Sequence, residues 1–363
     1  MVKGLSIKKL ILLLTAILTF ILFWIVKGIA NSNIESLQDQ QMYKRWSEDG
    51  GYAQISVYLP ETVGITPESV TNFEHSLLDS LKKESIESTS ENEEARLIAS
   101  CYTAEGTLSV RSPYASTNLK AVGVGGDFFQ FHQFELLGGD YFSESDLNDD
   151  YCVLDEVAAW KLFGSNDISG MVVYVGDIPL IVRGVVAQPE DNVSKNAGAG
   201  SEMCYVSYRF LTEYGRNDSI TDYEIVMPNP VPGYAMGKVK ELFGVSEDDM
   251  VVVENSDRFS YENRWYLLKN IRYRSMVTQD ISYPWWENVA RSYEDLVLWL
   301  TVLYLALIAY TVVVIIVLLV VMIVLNADLI QAVFIEYVVN RISSIFTRTR
   351  GGREEIYEEE KDD

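Results

Sequence analysis

Histidine is close to absent: only His75 and His132 occur, and neither has a Cys or His partner at metal-ligand spacing. No metal centre is expected from that pattern. Cysteine is scarce too. Cys101, Cys152 and Cys204 permit at most one bridge within the chain, match no zinc spacing, and leave open buried free thiols or a single disulfide. Basic residues are outnumbered, 29 Lys and Arg against 52 Asp and Glu, for a net charge of −23. That balance excludes a nucleic-acid binder, which needs cations to displace counterions from phosphate. The nearest approach to the phosphate-cradling G-x-x-x-x-G-K-[ST] loop begins at Gly233 and ends Gly237-Lys238-Val239. It is one residue short, lacks the hydroxyl and falls in a predicted helix. Gly123-Val124-Gly125-Gly126 lacks the third glycine and the distant acid of a dinucleotide turn. There is no G-x-S-x-G elbow, and Asp146, Asp149 and Asp150 lack the EF-hand order and its closing Glu. The chain is read as a non-enzyme with no catalytic residue, cofactor or metal of its own.

Charge is also missing from two long runs. Residues 10–26 are uncharged between Lys8-Lys9 and Lys27, and residues 296–325 form a second uncharged run. About 20 helical residues cross a bilayer core of roughly 30 Å, so both are read as membrane spans. The second exceeds the need by about ten residues, or ~15 Å of helix, and is expected to tilt or to project as a stalk. It carries no intramembrane ion or proton site. Gly28-Ile29-Ala30 would suit cleavage of a signal peptide, but the first run is read as a retained anchor. Lys3, Lys8 and Lys9 precede it, while Arg341, Arg348, Arg350 and Arg353 follow the second, and Glu294-Asp295 border the second on its other side. By the positive-inside rule both termini are expected in the cytoplasm of a plasma-membrane protein, with a large external domain.

The expected organisation is a cytoplasmic N-terminus (1–9), a first span (10–26), an external domain with a helical stalk (27–295), a second span (296–325) and a cytoplasmic amphipathic helix with an acidic tail (326–363). After a polar continuation of the anchor helix, residues 52–59 alternate Tyr52, Gln54, Ser56 and Tyr58 with Ala53, Ile55, Val57 and Leu59. That period of two predicts a half-buried strand. Thr66-Pro67-Glu68 starts a helix with Val70, Phe73, Leu77, Leu78 and Leu81 inward. Residues 87–94 read as a Ser/Glu linker, and 95–104 and 106–111 as two strands turning at Glu105-Gly106. An aromatic helix, a turn at Gly138-Gly139 and a strand at 151–154 follow. A helix ends at Leu162-Phe163-Gly164, and a strand pair surrounds Gly176-Asp177. Residues 190–201 read as an exposed loop. Later come strands at 203–207, 223–227 and 250–254, with a helix at 233–243. This is an α+β domain with mixed sheets and packed helices. Tyr261, Trp265, Leu268 and Ile271 share helical spacing, Tyr283-Pro284-Trp285-Trp286 fits an interfacial anchor, and residues 329–346 form an amphipathic helix for a membrane or a partner.

The ordered series "GVGGDFF … LLGGDYFSESD … LDEVAAWKLFG … ISGMVVYVGDIPLIVRGVV" resembles the MacB-like periplasmic core domain of ABC-transporter permeases of the MacB/FtsX class. The structural motif falls on Gly139, Asp140, Asp146, Leu162, Phe163, Gly164, Gly170, Gly184 and Val185, with Asp140 where the family usually has Arg. The resemblance implies an external domain between spans and a permease that relays the motion of a separate ATPase, with ATP used only through that partner. The family has four spans and this sequence two, so it resembles an N-terminal half. Expected partners are an ABC ATPase and a chain supplying the remaining spans, or a second copy in a homodimer. Leu329, Val333, Phe334, Val338, Arg341 and Ile342 are the candidate partner or membrane contacts. A membrane-anchored binding, sensor or accessory protein with the same fold and no ATPase is the alternative.

Overall fold

The computed structural model describes residues 7–47, 50–86, 96–144, 146, 149–215, 217, 219–270, 280–325, 327, 331 and 334–342. The chain divides into two units, Met1–Ala30 with Trp299–Asp363, and Asn31–Leu298.

The described residues of the first unit are helical. It holds most of α1 (Ile7–Glu35) and the later part of the last long helix, Trp285–Leu325. Both are long and apolar enough to cross a membrane, and their side chains are mostly exposed, with Leu14, Trp24, Val313 and Val324 all more than half accessible. Polar side chains of the two helices meet each other. Thr19 Oγ1 meets Thr311 Oγ1 at 2.8 Å, and the Tyr310 hydroxyl donates to Thr15 Oγ1. Phe23 packs edge-on against Tyr304 at 5.9 Å.

The second unit is built on one ten-stranded sheet: β1 (Tyr52–Tyr58), β2 (Ala99–Arg111), β3 (Ser116–Gly126), β4 (Leu136–Gly139), β5 (Tyr151–Asp155), β6 (Val172–Val175), β7 (Ile178–Val186), β8 (Met203–Ser207), β9 (Asp222–Pro228) and β10 (Val251–Glu254). The order is β10-β1-β9-β2-β3-β8-β5-β7-β4, and β6 pairs with both β2 and β7. The pairings β2-β3-β8-β5-β7-β6 therefore close on themselves, through two residue pairs, Val110 with Val175 and Arg111 with Tyr174. Among the described residues, β3–β8 and β5–β7 are the parallel pairs.

Alternation sorts each strand between two cores. One face carries Ile55, Val57, Leu108, Leu119, Leu154, Val206 and Ile225. It is covered by α3 (Pro67–Lys83), α5 (Glu156–Phe163), α7 (Tyr208–Tyr214) and α8 (Tyr234–Leu242). The Thr66 side chain caps α3 and Pro67 opens it, so Val70, Phe73, Leu77 and Leu81 line one stripe. Leu78 stays on the flank, partly exposed. The opposite face carries Cys101, Val122, Val124, Val153, Met203, Tyr205 and Val226. It is covered by α2 (Met42–Trp46), α4 (Phe128–Phe131) and the start of α10 (Trp285–Leu325).

Several expectations change. β2 runs unbroken through Gly106, because that glycine makes room for α7 rather than turning the chain: a Cβ there would meet Leu211 Cδ1 at 3.0 Å. Gly138-Gly139 belong to the edge strand β4, paired with β7 across a bulge. β1 is buried on both faces, since its polar side lies under α2 and α10. Residues 192–199 form short helical turns with Ala199 buried. α9 (Tyr261–Asn270) exposes Tyr261 and Trp265. All three cysteines are free and buried, in β2, β5 and β8. The 87–94 linker and Ile271 lie outside the described residues.

Candidate functional site

The first turns of α10 are anchored in the second unit by buried side chains. Trp285 and Trp286, expected at a membrane interface, are 7% and 0% exposed. Trp286 packs on His132 and Phe128 at 4.5 and 5.8 Å, and Trp285 on Phe134 at 6.2 Å. The correction has a simple cause. The aromatic side chains of α4 and the bare valines of β3 leave a dry surface that two indoles cover, which gains more than a half-wet interface would.

The next residue, Glu287, is fully buried. Its carboxylate accepts two hydrogen bonds from Arg258, Nη2 to Oε1 and Nη1 to Oε2, both 2.7 Å, and a third from the Tyr58 hydroxyl at 3.0 Å. Arg291, four residues along, approaches Oε1 at 3.2 Å. Arg258 also pairs through Nε with Glu294 and donates Nη1 to Asn255 Oδ1 at 3.0 Å, while Asn255 Nδ2 donates to Ser56 Oγ at 2.7 Å. Tyr283 stacks edge-on against Tyr58 at 5.2 Å and lies under the Arg291 guanidinium at 3.9 Å. Two arginines thus balance two glutamates, and the planar fork of Arg258 joins β1, the turn after β10 and α10 through bidentate geometry. Burial by itself would lower the Arg258 pKa; the Glu287 and Glu294 carboxylates reverse that and hold it well above its ordinary value. The Tyr58 hydroxyl is pushed up by burial and by Glu287.

The polar side of β1 continues this layer. Gln54 Oε1 accepts from the Met42 N–H at 2.8 Å, and Gln54 Nε2 donates to Glu224 Oε2 at 3.0 Å on β9. Burial raises Glu224, with His132 and Gln54 opposing, and burial with Glu224 and Glu287 beside it raises Asp222. Sequence reading missed this layer. The one signal in the sequence is the Glu287–Arg291 spacing of four, next to the two tryptophans.

The motif residues fall elsewhere, around β4, β5 and β7. Gly139 (φ 77°) pairs with Gly184, and a Cβ on either would lie 2.2 Å from Arg183 O or 2.4 Å from Asp140 O. Asp140 accepts from the Tyr141 N–H at 2.8 Å, a local turn rather than an ion pair. Asp146 Oδ2 accepts from the Ser143 N–H at 2.9 Å. Leu162 is buried with its carbonyl taken by Ser112 Oγ, Phe163 meets Tyr114, and Gly164 (φ 70°) ends α5. Gly170 turns the chain and donates to Val182 O, and Val185 is core. The residue that ties this region together is Asp155. It caps α5 through the Ala158 N–H and accepts from Gln188 Nε2 and the Met203 N–H at 2.6–2.8 Å. Of the partner-contact candidates, Phe334, Val338, Arg341 and Ile342 lie on a helical stretch, 334–342, while Leu329 and Val333 fall outside the described residues. A separate cleft of about 640 Å³ is lined by Tyr102, Phe128, Phe129, Phe142, Glu144 and Tyr208 among others.

A family model described as the MacB-like periplasmic core domain matches residues 17–241. The macrolide export ATP-binding/permease protein MacB of Chromobacterium violaceum is 36% identical over 90 residues, covering 24% of this chain and 14% of that protein. Its namesake from Pasteurella multocida is 31% identical over 88 residues, with 24% and 14% covered. The chain thus aligns with a small part of these relatives' length. Among solved structures, the extracellular domain of the noncanonic ABC-type transporter YknZ from Gram-positive bacteria aligns at TM-score 0.38 and 16% identity, covering 55% of this chain and 99% of that one. The periplasmic region of MacB from Actinobacillus actinomycetemcomitans aligns at 0.39 and 16%, covering 61% and 94%.

Proposed function

Because the chain belongs to the MacB-like periplasmic core domain family of ABC-transporter permeases, we propose that it relays the ATP-driven motion of a separate ATPase to its own external domain. It does no chemistry itself, and ATP enters only through the partner. The observation that carries this reading is the foot of α10. The helix runs Trp285–Leu325, its later part is an uncharged candidate span, and its first turns are tied to the sheet by a buried bidentate pair. In this reading a displacement of the foot of α10 reaches the sheet through the Arg258–Glu287 pair. Both termini are cytoplasmic in this reading, and the stretch around Phe334, Val338, Arg341 and Ile342 meets the ATPase or the membrane surface. A second copy completes the assembly in this reading.

The test is capture of the tagged full chain from mild detergent, with and without ATP-trapping conditions. Recovery of an ABC ATPase supports the relay. Its absence under both conditions refutes it and favours an anchored binding or sensor protein, a reading supported by the aromatic cleft beside α7.

A further inference from the structure

One group of buried side chains plays no part in the Arg258–Glu287 pairing, and its histidine nitrogens make no hydrogen bond. β2 and β9 pair so that Cys101 stands directly opposite Glu224. His132, the residue that ends α4, is laid over this pair by Phe128 and Trp286. The Cys101 thiol, a His132 ring nitrogen and a Glu224 oxygen all lie within 4.8 Å of one another, and all three residues are at most 2% exposed. Neither imidazole nitrogen makes a well-formed hydrogen bond. Nε2 faces Glu224 Oε1 at 3.9 Å, too far for a direct bond, and Nδ1 lies 3.2 Å from Asp39 Oδ1.

We infer that Cys101, His132 and Glu224 form a structural site for a soft-to-borderline divalent cation, with Zn²⁺ the best match. A thiolate, an imidazole and a carboxylate are the donor types zinc takes, and three protein ligands leave one tetrahedral position for a water. With metal–nitrogen and metal–oxygen bonds of about 2.0–2.2 Å, tetrahedral geometry puts N and O roughly 3.3 Å apart. The observed 3.9 Å gap therefore needs to close by only about 0.6 Å. Thiolate and carboxylate together carry two negative charges, so the bound ion is neutralised where an unpaired charge would be costly. The outer layer is present as well. Asp39 Oδ1 lies 3.2 Å from the far nitrogen of His132, near enough to accept from it once Nε2 is turned to a metal, and Gln54 Nε2 holds the second oxygen of Glu224 at 3.0 Å. Binding would release the thiol proton to solvent and join three segments that meet nowhere in sequence: the residues after α1, the end of α4, and the β2–β9 pair. This site does not depend on any partner ATPase.

The experiment uses the full chain in detergent micelles, stripped with chelator and then equilibrated with Zn²⁺ or Co²⁺ alone. Expected are one equivalent of zinc by elemental analysis, a thiolate-to-cobalt charge-transfer band, and a higher unfolding temperature with metal than without. Cys101→Ser and His132→Ala should each weaken zinc binding by at least about 100-fold and abolish the cobalt band. Cys204→Ser, a buried free thiol in the other core, should retain both. Should Cys101→Ser fail to fold, the near-isosteric Glu224→Gln gives the same comparison. Substoichiometric zinc in the wild-type chain, or equal binding by Cys101→Ser or Glu224→Gln, overturns the site and leaves an unsatisfied buried histidine.

Discussion

Replacing Arg258 by Ala tests whether the foot of α10 is held by charge. The side chain is 3% exposed and its partner Glu287 0%. Removal deletes both 2.7 Å bonds to Glu287, the pairing with Glu294 and the donor to Asn255. Glu287 keeps the Tyr58 hydroxyl and Arg291, but in a site sealed from water these do not replace a bidentate guanidinium. Breaking a buried pair from one side costs about 3–5 kcal/mol. For a domain of this size each kcal/mol moves the midpoint by about 2–4 °C, so the expected fall is about 6–20 °C. The companion variant Arg258→Met/Glu287→Leu removes both charges and substitutes apolar volume. It is expected to lose much less than the single change, because the desolvation of two ions is no longer incurred. The loss is not zero, since Tyr58 and Asn255 each forfeit a partner. The assay is thermal unfolding of the full chain in detergent, followed by circular dichroism and by tryptophan fluorescence, to which the buried Trp285 and Trp286 contribute with five other tryptophans. A midpoint for Arg258→Ala within about 2 °C of wild type would place the pair among solvated surface bridges worth at most ~1 kcal/mol and refute the clamp.

Asp155→Ala removes the cap of α5 and leaves the Met203 N–H without its acceptor, so unfolding measured in denaturant should show a loss of about 2–4 kcal/mol. Gly139→Ala should destabilise more than Gly170→Ala. Both positions have positive φ, but an added Cβ at 139 meets Arg183 O at 2.2 Å and at 170 meets nothing within 4 Å, and thermal midpoints decide the order. The Glu254 carboxyl is raised above its ordinary 4.5 by burial and then by Asp257. A raised carboxylate gives stability that is complete below the ordinary value and lost as pH rises through the folded one. Glu254→Gln should therefore flatten the decline in stability from pH ~4.5 upward. The gain at neutral pH stays under about 1 kcal/mol because the group is only partly buried and solvent screens it.

Much of the fold was legible because it rests on local chemistry. Thr66-Pro67 and the 70–81 stripe specify α3, Asp155 and Gly164 bracket α5, and Gly176-Asp177 turns β6 into β7. The ordered motif through residues 119–188 identified the family. What failed to show were consequences of pairing at long range. Gly106 reads as a turn until Leu211 is known to lie against it, 105 residues later in the chain. β1 reads as half exposed because nothing local says that Trp286, Glu287 and Arg258 will cover its polar side. His132 has no ligand neighbour in sequence, and its neighbours in space come from a strand pair whose register only folding sets.

The relay is tested most directly by hydrogen exchange on the chain captured together with its ATPase, compared with and without ATP trapping. The account predicts altered protection at residues 251–258 and 285–298, the two sides of the Arg258–Glu287 pair, and loss of that response in Arg258→Ala. Identical exchange throughout the second unit in both states would contradict it.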